Sequence, residues 1–202
     1  MKHTFIDNYL FGEDLDINLR SLRNECKEVE TLVLNSAKTN NLLRTNFGDL
    51  ETTSLFAHYN MFTYSGNELQ TLYKKIKQAI TPYISFHEKY MIQAWLNIYY
   101  ENQSIKWHRH YPVIAKAWHG FFCVSTEEQS SFTHYKVFPD IEYKVNSKDN
   151  LLVFGRSDKD FHSSSVWTSK NPRITIAFDI VPIKYLYSNP NERSRINHFI
   201  PF

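Results

Sequence analysis

The chain has 202 residues, 42% of them hydrophobic and 16% aromatic, and a formal net charge of +2. That length and composition predict one globular domain with a sizeable core and exclude a disordered chain. Charges of both signs are scattered along it, which argues against a general electrostatic grip on nucleic acid. Cys26 and Cys123 are the two cysteines; they make no disulfide framework, and a reduced cytosolic setting is expected. No basic-then-apolar segment opens the sequence, and no apolar run reaches the length of a membrane span. Five glycines offer no glycine-rich phosphate loop.

Residues 3–11 alternate loosely up to Gly12 and read as a short edge strand. Leu15, Leu19, Leu22, Cys26 and Val29 recur at helical spacing, with Asp14 or Asp16 as cap, and predict a helix over about 14–30. Glu30 to Asn35 reads as a short strand. Ser36 to Met61 is polar, with Phe47, Leu55, Phe56 and Tyr59 interspersed. It reads as a long irregular segment of the kind used for lids and substrate loops. Asn67-Glu68-Leu69-Gln70 resembles a capping box. Leu69, Leu72, Tyr73, Ile76, Ile80 and Tyr83 then mark one apolar stripe, with Lys74, Lys75, Lys77 and Gln78 opposite and Pro82 as terminator. Such a stripe needs a surface to lie on, and a sheet supplies it.

From Lys89 onward the texture is short β-rich runs between polar turns. Strands are expected at Met91–Tyr100, Lys106–His110, Ala115–Ser125, His134–Phe138, Glu142–Val145, Leu151–Phe154, Ser163–Thr168 and Arg173–Ile183, with a hairpin turn at Ser147-Lys148-Asp149-Asn150. About eight short strands predict a sandwich or barrel. Helices first and strands second make the fold class α+β in a single domain over 1–202. Residues of about 1–88 form helical and irregular support, about 89–183 the β core, and 184–202 a tail. The tail ends in His198-Phe199-Ile200-Pro201-Phe202, which packs back on the domain or meets a partner.

The stretch Trp107-His108-Arg109-His110 carries the chemistry. Residues i and i+2 of a strand share a face, so both imidazoles can reach one point. His162, in a distant strand-like region, would complete a three-residue set. Imidazole suits iron, zinc, copper and nickel, and three ligands leave positions open for a chelating cosubstrate and oxygen. His3, His58, His87, His119, His134 and His198 lack such a context and read as structural or surface residues. In the last strand Arg173, Thr175, Ala177 and Asp179 share one face, and Ile174, Ile176, Phe178 and Ile180 the other. The Arg173 fork matches a carboxylate, and the Thr175 hydroxyl can add a bond. Trp95, Asn97 and Tyr99 share a face of an earlier strand; polar groups on an inner face need polar partners.

Together these pieces resemble the iron(II)/2-oxoglutarate-dependent oxygenase superfamily: Asn97-Ile98-Tyr99, Ile105, His108-Arg109-His110, Leu151-Leu152-Val153-Phe154, His162, and Asn171 through Phe178. The likeness covers about residues 90–183. It is nearest to oxygenases of bacteriophages and marine bacteria, whose Ser-Gly-Val-Tyr-Tyr-like strand reads Trp118-His119-Gly120-Phe121-Phe122 here. The Asn-x-Tyr and Pro-Arg-Ile-Thr pieces also resemble AlkB-type nucleic-acid dealkylases. The resemblance implies a double-stranded β-helix (a jelly-roll, cupin-like barrel) braced by N-terminal helices. It implies that His108 and His162 bind iron(II), that Arg173 and Thr175 hold the distal carboxylate of 2-oxoglutarate, and that Asn97 and Tyr99 support it. Oxygen is the other substrate, and a C–H bond of a small molecule or protein side chain is oxidised. Most members have Asp or Glu where this chain has His110, so His110 is either the third ligand or a residue behind the ligands. Trp107, Lys116 and Trp118 are substrate candidates by proximity; Lys116 could instead hold the distal carboxylate. The competing readings are an AlkB-like nucleobase oxygenase, a degenerate barrel acting as a binding module, and a cupin metalloprotein. The resemblance and the Asn-rich composition place the protein in the cytoplasm of a bacterium or phage-infected host.

Overall fold

The computed structural model describes every residue except 46–49, 128–130, 138–140, 159 and 194. Strands β1 (Lys2–Ile6) and β2 (Leu10–Asp14) form a hairpin, followed by helices α1 (Leu19–Asn40), α2 (Glu51–Ser54) and α3 (Asn67–Ile80). Seven further strands follow: β3 (Tyr90–Tyr99), β4 (Trp118–Ser125), β5 (Phe132–Val137), β6 (Ile141–Asn146), β7 (Leu151–Arg156), β8 (Asp160–Ser164) and β9 (Arg173–Pro182). Helices α4 (Ile183–Ser188) and α5 (Pro190–Arg193) and the short β10 (Ile200–Pro201) close the chain.

The strands make two antiparallel sheets. The larger has the order β1-β2-β7-β4-β9-β3-β10 and the smaller β6-β5-β8. Strand β9 shows why they stack. Ile174, Ile176, Phe178 and Ile180 belong to a core cluster with Leu22, Cys26 and Val29 of α1 and Leu69, Leu72 and Ile76 of α3. The helices thus cover one face of the large sheet. On its other face Leu10, Cys123, Leu151 and Val153 pack with Tyr135, Val137 and Val145 of the small sheet. Gly120 permits close packing within β4: a Cβ there would meet the Val153 carbonyl oxygen and the Phe178 ring. The result is a double-stranded β-helix braced by helices, the fold class the residues led us to expect.

Several local expectations are corrected. The first helix begins at Leu19, capped by the Asn18 side chain, and runs through Glu30–Asn35 to an αL cap at Asn41. Thr31-Leu32-Val33-Leu34 has strand-like composition, but Val29, Val33 and Ala37 continue the buried stripe and packing overrides propensity. The Ser147–Asn150 turn does not close a hairpin: β6 pairs with β5, whereas β7 pairs with β2 and β4, so the turn crosses between sheets. Of Lys106–His110 a single rung remains, the His108–His162 bridge. The strand expected over Ser163–Thr168 begins earlier, at Asp160. Phe47 and Phe138 lie outside the described residues.

The expected capping box does not form either. The amides of Glu68 and Leu69 donate to the Glu25 carboxylate of α1, at 3.1 and 2.9 Å. A Cβ on the N-cap Gly66 would meet that carboxylate at 2.6 Å. Glu25→Ala is therefore expected to cost about 1 kcal/mol, as loss of a helix cap does, and to lower the melting temperature by roughly 2–4 °C. An unchanged melting curve would show that this cap carries no weight.

Candidate metal and cosubstrate site

A cavity of about 260 Å³ opens between the two sheets. Its floor follows from strand periodicity: Trp95, Asn97 and Tyr99 of β3 lie opposite Ala177, Thr175 and Arg173 of β9. These residues and Asp179 line the cavity. Strand β4 adds His119, paired in register with Asp179.

The three histidines singled out from the sequence converge here. His108 and His162 exchange backbone hydrogen bonds, both 3.0 Å, and their rings lie 4.3 Å apart. The His110 ring is 5.2 Å from His108 and 5.0 Å from His162. One ring nitrogen of each lies within 4.8 Å of the others. Two of the rings are held at Nδ1 by a hydrogen bond, to the Lys106 carbonyl oxygen at 2.8 Å from His108 and to Asp179 Oδ1 at 2.6 Å from His110, whereas His162 Nδ1 lies 3.3 Å from Asp160 Oδ2 without a hydrogen bond. Carbonyl and carboxylate partners of this kind orient metal-ligating imidazoles and present Nε2. Trp95 stacks on His110 at 5.8 Å and fixes that ring from another side.

Burial, with help from neighbouring imidazoles, pushes the His108 imidazole down to about 4, and burial holds His162 well below its ordinary value. Both therefore stay neutral at physiological pH, the state a metal requires. His119 behaves differently. Burial opposes its charge, but Asp160 outweighs it and raises its pKa. Asp160 is itself desolvated by burial, yet His119, then His162, keep its carboxyl far below the usual range.

These shifts set a pH dependence for the metal-free protein. The unfolded chain takes up protons at His108 and His162 as pH falls through about 6.5, whereas the folded chain resists, so stability drops between pH 6.5 and about 4. Each proton bound only by the unfolded chain contributes about 1.4 kcal/mol per pH unit. The raised His119 acts oppositely: its contribution is full below about pH 6.5 and is lost above its raised pKa. Urea unfolding with chelator at pH 7, 6 and 5 should show a falling midpoint; a flat profile would mean that these imidazoles titrate normally.

Histidine 119, Asp160 and His162 form a second group with ligand atoms within 4.8 Å of one another. His119 Nε2 lies 3.1 Å from Asp160 Oδ2. Asp160 sits behind the cavity wall and its side chain is fully buried, so an ion held there would have a closed face. His108, His110 and His162 border the open cavity, where further ligands can enter.

The far end suits a carboxylate. Arg173 is 1% exposed, its guanidinium lies 4.6 Å from the Tyr99 ring centroid, and Nε and Nη1 have no hydrogen-bond partner among the described residues. A buried cation with unmet donors calls for an anion. Beside it, Asn97 Nδ2 donates to Thr175 Oγ1 at 3.3 Å, and Asn97 Oδ1 accepts from Thr53 Oγ1 at 2.6 Å. Arg173, Thr175, Asn97 and Tyr99 are thus gathered in one cavity with the three histidines.

The substrate candidates chosen by proximity are not gathered. Trp118 is buried in the core on the helix side, 6.3 Å from Tyr83, because β4 alternation turns His119, not Trp118, toward the cavity. Lys116 is exposed in an αL turn, outside the cavity wall. Trp107 is 46% exposed, with the Lys136 ammonium 5.0 Å from its ring. The walls instead include Phe56, Tyr111, and Glu192 and Arg195 from the tail. Sequence reasoning missed His119 and Asp160. The Asp-x-His spacing of Asp160 and His162 was the available signal.

No family model matches the sequence, and no curated protein does. Solved structures do match, at the level of fold. A Pseudomonas putida prolyl-4-hydroxylase aligns with TM-score 0.59 and 11% identity over 86% of this chain and 92% of its own. The non-heme α-ketoglutarate-dependent carbocyclase SnoK of nogalamycin biosynthesis aligns with TM-score 0.59 and 8% identity over 88% and 81%. A prolyl hydroxylase from Trichoplax adhaerens, solved with a hypoxia inducible factor peptide fragment, gives 0.58 and 11% over 91% and 88%. The fold is that of the 2-oxoglutarate/iron(II) oxygenases. No helix among the described residues is long and apolar enough to cross a membrane.

Proposed function

We propose that this chain is an iron(II)- and 2-oxoglutarate-dependent oxygenase that oxidises a C–H bond of a small molecule or a protein side chain. One observation carries the reading: three convergent imidazoles and a buried guanidinium with unmet donors face one cavity. The donor set fits the group, since neutral imidazole is a good iron ligand and three protein ligands leave positions open. When bound, iron(II) supplies the oxygen chemistry, coupling decarboxylation of 2-oxoglutarate to substrate oxidation.

The protein's own residues do the rest. His108, His110 and His162 hold the metal, and the acceptors at Nδ1 of His108 and His110 fix those two rings. Arg173 pairs with the distal carboxylate of 2-oxoglutarate, Thr175 adds a hydroxyl, and Asn97 fixes Thr175. Tyr99, buried against Arg173, supports the guanidinium with its ring face. Phe56, Tyr111, Glu192 and Arg195 form the wall left for the substrate. Protein-like and small-molecule substrates are both supported by the neighbours, one solved with a peptide fragment and one a carbocyclase of nogalamycin biosynthesis. We assign the enzyme to the cytoplasm of a bacterium or phage-infected host, where the buried thiols of Cys26 and Cys123 remain reduced.

The test is uncoupled turnover. Purified protein with iron(II), ascorbate and air should convert 2-oxoglutarate to succinate slowly, and a chelator should stop it. Absence of succinate above the chelated control would contradict an oxygenase.

A further inference from the structure

The position where most of these oxygenases place a carboxylate ligand is His110 here, so the centre lacks one negative charge. Two carboxylates stand beside the ligand rings, Asp179 in the cavity lining and Asp160 outside it. Asp179, 3% exposed on β9, accepts from His110 Nδ1 at 2.6 Å. Asp160, 2% exposed at the start of β8, has Oδ2 at 3.3 Å from His162 Nδ1, an ion-pair contact without a hydrogen bond. They differ in what else they touch. Asp160 is shared with His119, at 3.1 Å. Asp179 makes its ion-pair contact with His110.

We propose that Asp179 is a positioning residue that replaces the missing ligand carboxylate from one bond further out, with Asp160 adding a weaker contribution of charge alone beside His162. The inference rests on the reading of His108, His110 and His162 as metal ligands. Its basis is physical. A carboxylate on Nδ1–H fixes the tautomer, aims Nε2 at the cavity and makes the imidazole a stronger donor. The charge that opposes the metal's own then sits behind His110 instead of on the metal. The strand alternation that brings Arg173 and Thr175 into the cavity also brings Asp179 in, six and four residues further along the same face.

The test uses iron(II) alone, with affinity measured anaerobically by competition with a chromogenic chelator. Asp179→Asn keeps an oxygen that can accept from Nδ1–H and removes only the charge. Affinity should fall roughly 10–100-fold, as for other partners of ligating histidines, with the metal-free melting temperature little changed. In a His110→Asp background a ligand carboxylate is restored and Nδ1–H is gone. There Asp179→Asn should change affinity less than about threefold, the non-additivity expected of coupled groups. Equal losses in both backgrounds would overturn the proposal, as would wild-type affinity in Asp179→Asn. Should Asp179→Asn not fold, Asp160→Asn carries the test: a loss of affinity supports the charge account and wild-type affinity overturns it. Wild-type protein that binds no iron(II) is a separate result and would bring down the oxygenase reading itself.

Discussion

Replacing Arg173 with methionine is expected to abolish the response to 2-oxoglutarate without weakening the metal-free protein. In that protein Arg173 is 1% exposed, and its Nε and Nη1 have no hydrogen-bond partner among the described residues. A buried cation with unmet donors is costly, and an apolar side chain of similar length removes that cost. The melting temperature of Arg173→Met without ligands should therefore equal or exceed that of wild type. Binding should move the other way. Truncating one member of a buried charge pair typically costs 2–5 kcal/mol, so affinity for 2-oxoglutarate should fall by roughly 100-fold or more. Iron(II) affinity should be unaffected, because the rings and their acceptors are untouched. A variant that melts much lower and also loses iron would mean that Arg173 holds the fold together and has no role with a carboxylate.

The second large effect is expected at His162. This side chain borders the cavity through one edge and meets Asp160 through Nδ1, and its backbone carries the rung to His108. His162→Ala removes one of three ligands and separates Asp160 from the centre. Metal retention should be abolished: dialysed protein should carry no iron, and added iron(II) should no longer raise the melting temperature. The backbone rung survives an alanine, so the fold should persist. His119→Gln is the informative comparison. It removes a partner of Asp160 but none of the three converging rings, and should retain iron. Equal loss of metal from both variants would shift the centre to the His119–Asp160–His162 group.

Much of this site was legible in the sequence, for a simple reason. Strands β3 and β9 alternate cleanly, so the faces carrying Asn97 and Tyr99, and Arg173 and Thr175, follow from a period of two. The His-x-His pair is local and needs no tertiary knowledge to be seen. What was hidden depends on pairing between sheets. Asp160 meets His119 only because β8 and β4, in different sheets, bring them together. Asp179 was visible on the correct face, but its partner His110 lies 69 residues away. The errors have the same origin. Trp118 and Lys116 are near the histidines in sequence, but β4 alternation and an αL turn send both elsewhere. Likewise Thr31 to Leu34 has β-like composition, whereas burial of Val33 and Ala37 extends the helix through it.

The proposed function requires one cavity to bind iron(II) at the histidines and 2-oxoglutarate across to Arg173. It is tested most directly by anaerobic titration of the purified protein with both, watching the visible charge-transfer absorption of the iron–2-oxoglutarate chelate. A band that needs both components, saturates at one equivalent of each and fails to form in Arg173→Met is the predicted result. A folded protein that gives no band with both components in excess would contradict the account.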